Sequence, residues 1–220
     1  MYFILAIGLM ILSSTLVNSK FEKYRKIPVD SQLTGAETAR AILDYNGLQN
    51  VSIQAVNAGT LSDFYDPKNR SVHLSPEVYN GRSIVSVAVA AHEVGHAIQH
   101  KTGYRFLEIR NLLLPAALIG SNLGWLVIII GASAQLINVI YFGVALILLL
   151  ALFQLITLPV EFDASKRAGV MLKELNIVAS DELDDVKSML NAAAFTYVAA
   201  LITTFLYMFH YIGMGRKSRN

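Results

Sequence analysis

Charged and apolar positions are spread very unevenly along this chain. Residues 111–160 contain no Lys, Arg, Asp, Glu or His. A bilayer core about 30 Å thick takes about 20 apolar residues as a helix, so this stretch is long enough to cross twice. A second uncharged run lies between Lys187 and His210, and a shorter one covers residues 2–17. The pattern predicts membrane helices over residues 112–130 and 136–158. The connection at 131–135 is too short for a domain, so the two form a hairpin. A last span is expected over 192–212. Residues 161–177 read as a helix leaving the membrane, and 181–190 as a short acidic helix.

Between the first and second spans the periodicity changes. Thr34-Gly-Ala-Glu37 has the spacing of a capping box. Ala36, Ala39, Ile42 and Leu43 follow as an apolar stripe at helical spacing, and Asn46-Gly47 supplies a stop. Residues 51–56 alternate like a strand. Residues 61–65 and 71–74 flank Asp66-Pro67-Lys68-Asn69, which has turn chemistry, so a β-hairpin is expected. Its second strand, 71–74, is a candidate for binding substrate by strand addition. Ser83 can cap a further helix running to about His100, with Gly103 as its stop.

The chain is therefore expected to be a mainly α membrane protein. It has about four transmembrane helices and a small α+β domain with a short β-hairpin. The divisions are an N-terminal anchor at 1–17, a catalytic-type domain at 18–111, a helical hairpin at 112–158, a helical segment at 159–191, and a last span with basic tail at 192–220.

Composition agrees with this division. The chain is 54% hydrophobic and 15% charged, against about 25% charged in an ordinary soluble domain. A net charge of +2, without basic–aromatic interleaving, excludes a nucleic-acid binder. There is no cysteine, so any metal site must use His, Asp or Glu. The opening segment lacks the positive n-region and small-residue cleavage pattern of a signal peptide and reads as an uncleaved anchor. Lys20, Lys23, Arg25 and Lys26 follow it directly. Basic residues beside a span favour the cytoplasm, which places the N-terminus outside and the following domain inside. Four spans would then put Arg216, Lys217 and Arg219 outside, against the same rule. The 11 Lys and Arg residues of 18–111 outnumber these 3 and decide the orientation, unless the last span is kinked or partly submerged.

The chemistry lies in His92-Glu93-Val-Gly-His96. On a helix, residues four apart share a face, so both imidazoles can reach one Zn2+. Glu93 sits beside the open coordination position, where it can take a proton from water and pass it to the leaving amine. The flanking Val85, Val87, Ala88, Val89, Ala90 and Ala91 predict a buried helix, where two histidines and a glutamate without a metal would be costly. Catalytic zinc takes three protein ligands. His73, His100 and His210 are the remaining histidines. Glu161, the first acidic residue after the uncharged stretch, is preferred as the third ligand. A helix starting there projects Glu161 and Ser165 on one face. Asp163 is expected as a partner to a histidine N–H rather than as a ligand. Tyr197, Arg167 and Tyr65 are candidate donors to the oxyanion of a tetrahedral intermediate.

Three runs carry a resemblance. They are Asp63-Phe-Tyr65-Asp66-Pro67 with Leu74-Ser75, Val87 to Gln99 around the His-Glu-x-x-His motif, and Glu161-Phe-Asp-Ala-Ser165 with Ala192-Ala-Ala-Phe-Thr196-Tyr197-Val198. From about Thr34 to Tyr197 the chain resembles the YugP-type bacterial neutral zinc metallopeptidases. These are similar in turn to HtpX-like and CAAX-prenyl membrane proteases. The resemblance implies a zincin-like domain in a membrane gluzincin, with His92, His96 and Glu161 as ligands and Glu93 as base. Those relatives carry Asp four residues after the third ligand, where this chain has Ser165. A histidine expected after Asp63 is replaced by Phe64.

The function expected from the sequence is an integral-membrane zinc metalloendopeptidase. It would act on peptide or protein substrates, including membrane proteins, from a cytoplasmic catalytic domain of a multi-pass cell-membrane protein. Its partners would be the substrate and the lipid bilayer, not nucleic acid. The alternative is a non-proteolytic scaffold or chaperone with a structural zinc, which needs a fourth ligand from His100 or Asp163. A metal transporter would place charged or His residues inside the spans, and residues 111–160 hold none.

Overall fold

The computed structural model describes residues 1–56 and 62–217, with side chains to residue 213. It is mostly helical, at 75%, with one small three-stranded sheet. The elements run α1 (Tyr2–Tyr24), α2 (Gly35–Tyr45), β1 (Ser52–Ala55), β2 (Phe64–Asp66), β3 (Ser71–Leu74), α3 (Pro76–Asn80), α4 (Ile84–Lys101), α5 (Arg105–Ser133), α6 (Ile137–Glu174) and α7 (Glu182–Lys217). Among the described residues, four helices are long and apolar enough to cross a membrane: Tyr2–Tyr24, Arg105–Ser133, Ile137–Glu174 and Glu182–Gly213.

Two expected breaks are absent. Residues 136–158 and 161–177 lie almost entirely in one helix, α6, which continues through Pro159 and ends at Glu174. Likewise 181–190 and 192–212 lie almost entirely in the single helix α7. The change from uncharged to charged sequence alters what surrounds a helix, not its backbone hydrogen bonds. One proline is tolerated where neighbouring groups take up the freed carbonyl. Leu61, the expected start of the first hairpin strand, and Arg219 of the basic tail lie outside the described residues.

The chain forms two compact units. One comprises Met1–Thr15, Arg105–Pro159 and Phe195–Asn220. Its interior is built on Ile128, Val144, Ile147, Ala151, Leu201 and Met208, and Trp125 meets Tyr207 edge-on at 5.4 Å. Its outward side chains include Leu112, Leu118, Ile119, Ile129 and Phe142, all more than half exposed. Such a surface suits lipid rather than water. α5 and α6 close on each other through glycine: a Cβ on Gly120 would lie 2.4 Å from the Leu146 carbonyl oxygen.

The other unit comprises Leu16–Tyr104 and Val160–Ala194. The capping box at the start of α2 is formed, with Thr34 Oγ1 accepting from the Glu37 N–H and the Thr34 N–H donating to Glu37. Ala39, Ile42 and Leu43 of α2 share one core with Val87, Ala91 and Val94 of α4 and with Ala168 and Leu172 of α6. Asn46 caps the C-terminus of α2, and Gly47 follows at φ +65°. The sheet order is β1-β3-β2, with β1 parallel and β2 antiparallel to β3. β3 is therefore the central strand with both edges filled, which closes it to the strand addition expected at 71–74.

Candidate metal centre

α4 starts where the Ser83 hydroxyl accepts the Ser86 N–H, and Thr102 caps its end. It is buried almost all round, as a central core helix must be. The lining of its contact with α6 is small on both sides. A Cβ on Gly95 would lie 2.6 Å from the Ala164 carbonyl oxygen, so only glycine permits this approach. Gly95 stands between the two motif histidines, and Ala164 stands between Glu161 and Ser165. The close approach therefore sets two pairs of polar side chains against each other.

His92, His96 and Glu161 converge, with one donor atom from each lying within 4.8 Å of the others. Glu161 Oε2 is 3.2 Å from His92 Nε2 and 3.7 Å from His96 Nε2. Two ligands bound to zinc at 2.0–2.2 Å and a tetrahedral angle stand about 3.4 Å apart, so the spacing fits. The donor set of two imidazole nitrogens and one carboxylate oxygen also fits zinc and leaves a fourth position open. Glu161 is 2% exposed, which makes the pairing of its charge obligatory.

Glu93 is buried beside this group, and burial pushes its carboxyl up to about 7. His92 and a backbone hydrogen bond from Tyr65 favour its carboxylate form, while Glu161 and Asp63 disfavour it. Asp63, itself raised by burial, accepts the Ser75 N–H at 2.7 Å.

Each histidine has a partner on its Nδ1. Ser165 Oγ lies 3.1 Å from His92 Nδ1, and Gln99 Oε1 lies 3.0 Å from His96 Nδ1. Asp163 touches neither ring. It accepts from Gln99 Nε2 at 2.9 Å and from Arg167 Nε at 2.5 Å. The Arg167 guanidinium also lies 5.7 Å over the Tyr104 ring. Asp163 thus reaches His96 only through Gln99, which corrects the direct contact expected of it.

Among the other sequence candidates, Tyr65 lies beside the group through its backbone, which hydrogen-bonds Glu93. Tyr65 turns its hydroxyl to His100 Nδ1, at 2.8 Å. His73 meets Ser71 Oγ at 2.8 Å and stacks on Phe64. Tyr197 and His210 belong to the other unit. Two residues of the site carried no chemical reading in the sequence: Gly95 and Gln99. Gln99 could have been found as a lone amide three residues after His96 and seven after His92, on the motif's own face of an otherwise apolar helix.

Comparison with known proteins gives one consistent result. Residues 1–216 match the family described as "Putative neutral zinc metallopeptidase". The chain is 43% identical over 217 residues to "Putative membrane protease YugP" of Bacillus subtilis (strain 168), covering 99% of this chain and 96% of that protein. No solved structure matches.

Proposed function

The chain belongs to the neutral zinc metallopeptidase family, and from that premise we propose that it is an integral-membrane endopeptidase of the His-Glu-x-x-His gluzincin type. The observation that carries this reading is the convergence of His92, His96 and Glu161 around one point beside the buried Glu93. His92, His96 and Glu161 hold the metal. Zinc, when bound, supplies Lewis-acid polarisation of the scissile carbonyl and acidifies a water. Glu93 takes a proton from that water and delivers it to the leaving amine. Ser165 and Gln99 hold the two rings in place.

Two observations support an open site over a closed structural one. His100 Nδ1 is engaged by Tyr65, Asp163 is engaged by Gln99 and Arg167, and neither belongs to the converging group. The substrates are peptides or proteins, with membrane proteins favoured by the four apolar helices. The protein sits multi-pass in the cell membrane, with its polar unit on the cytoplasmic side, and has no nucleic-acid partner.

Glu93→Gln tests the reading. General acid–base catalysis contributes about 10²–10⁴-fold, so casein cleavage should fall by at least about 100-fold while zinc stays bound. Unchanged cleavage rejects Glu93 as the base. Wild-type protein that takes up no zinc rejects the whole reading.

A further inference from the structure

We propose that Gln99 is a positioning residue that sets the tautomer of His96 and locks that ring to the turn of α6 carrying Glu161. The inference rests on His96 being a metal ligand, as proposed above. Gln99 is fully buried, and a buried amide is tolerated only when its hydrogen bonds are made. Its Nε2 donates to the Val160 carbonyl at 2.8 Å and to Asp163 Oδ2 at 2.9 Å.

Both of those partners are acceptors, and Asp163 is held as one by Arg167 at 2.5 Å. The amide therefore has one workable orientation. Its nitrogen faces α6 and its oxygen faces His96. An amide oxygen only accepts, so the His96 Nδ1, 3.0 Å away, must carry the proton. The lone pair of that ring is then on Nε2, the atom 3.7 Å from Glu161 Oε2.

Ser165 cannot do the same for His92, because a hydroxyl can donate or accept. The two histidines are thus held differently: one by a partner that follows the ring, the other by a partner that dictates to it. Val160 immediately precedes Glu161, so the amide that fixes His96 also fixes its register against the third ligand.

The test uses the detergent-solubilised full chain. Gln99→Met keeps the side chain's length and removes both its acceptor and its donor. Losing a hydrogen-bond partner of a ligating histidine costs about 10–100-fold in metal affinity. Competition with a chromophoric chelator should show zinc affinity reduced in that range; the metal-free protein also melts earlier, because the Val160 carbonyl and Asp163 lose their donor. Affinity within twofold of wild type overturns the proposal.

A second measurement reads the wild-type chain and does not depend on how Gln99→Met folds. In metal-free wild-type protein at pH 8 with 15N-labelled histidine, the His96 signal is assigned by its loss in His96→Asn. It should show a protonated Nδ1 and a bare Nε2. The reverse tautomer overturns the proposal. If wild-type protein binds no zinc, the function proposed above fails, while the tautomer measurement still decides the role of Gln99.

Discussion

Each unit of this protein brings two helices together through glycine, and the two use the closeness for different ends. In the polar unit, a Cβ on Gly95 would meet the Ala164 carbonyl oxygen at 2.6 Å. That contact lies between the two histidines on one helix and between Glu161 and Ser165 on the other. In the apolar unit, a Cβ on Gly124 would meet Ile147 Cγ1 at 2.7 Å, and one on Gly143 would meet Ile128 Cγ1 at 2.6 Å. No Lys, Arg, Asp, Glu or His lies in residues 111–160. In lipid, helices gain no hydrophobic free energy by pairing, so backbones must come close for dispersion and shape to hold them. The polar unit has a conventional buried core and does not need glycine for cohesion. There, closeness serves to converge donors.

The largest effect should come from breaking this division at Gly95. Gly95→Ala drives a methyl into rigid backbone, and overpacking of this kind costs about 1–3 kcal/mol. The larger consequence is functional. A ligand shift of 1 Å can cost about 10²-fold in rate, so casein cleavage should fall at least that far, with zinc stoichiometry well below one, although no ligand has changed. Gly124→Ala is the matched control. Its new methyl meets the buried Ile147 Cγ1 at 2.7 Å and the Gly143 carbonyl oxygen at 3.2 Å, so it too should lower the thermal midpoint, but the crowding falls in the apolar unit and should leave zinc affinity within twofold. Equal loss of zinc in both variants would break the comparison.

A finer test stays inside the polar unit. Ser165→Ala removes the partner 3.1 Å from His92 Nδ1 without altering how the helices meet. Because a hydroxyl orients a ring less strictly than an amide, the loss in zinc affinity should sit at the low end, about tenfold. It should be smaller than that of Gln99→Met, read by the same chelator competition.

How much of this was legible in the sequence follows the same division. The apolar helices could be read from the absence of charge, and the capping box, the Asn46-Gly47 stop and the Ser83 cap from local chemistry. His92, His96 and Glu161, whose side chains converge in the structure, could be named because the His-Glu-x-x-His spacing and the first acidic residue after the uncharged stretch restrict the candidates. What the sequence hid is tertiary. The continuity of α6 through Pro159 depends on surroundings, not on the local change in polarity. The central place of β3 depends on β1 pairing in parallel across an intervening segment. Gly95 and Gln99 acquire meaning only once Ala164, Val160 and Asp163 lie opposite them.

The smallest expected effect marks where the site's influence ends. Thr34 and Glu37 close the first turn of α2, whose Ala39, Ile42 and Leu43 share the core of α4. Thr34→Ala removes the acceptor of the Glu37 N–H and should cost about 1 kcal/mol of stability. The Thr34 backbone N–H holds the Glu37 carboxyl below its usual range. A depressed carboxylate stabilises the fold above its unfolded pKa, and that contribution is lost as pH falls through the folded value. Glu37→Gln should therefore melt earlier than wild type at neutral pH, and the gap should close on acidification below about pH 4. Zinc affinity at neutral pH should be unchanged in both variants, because the donors are registered by α4 against α6 and not by α2. A tenfold loss of zinc in Thr34→Ala would mean that the centre depends on the whole core of the polar unit, and the contact at Gly95 would lose its special place.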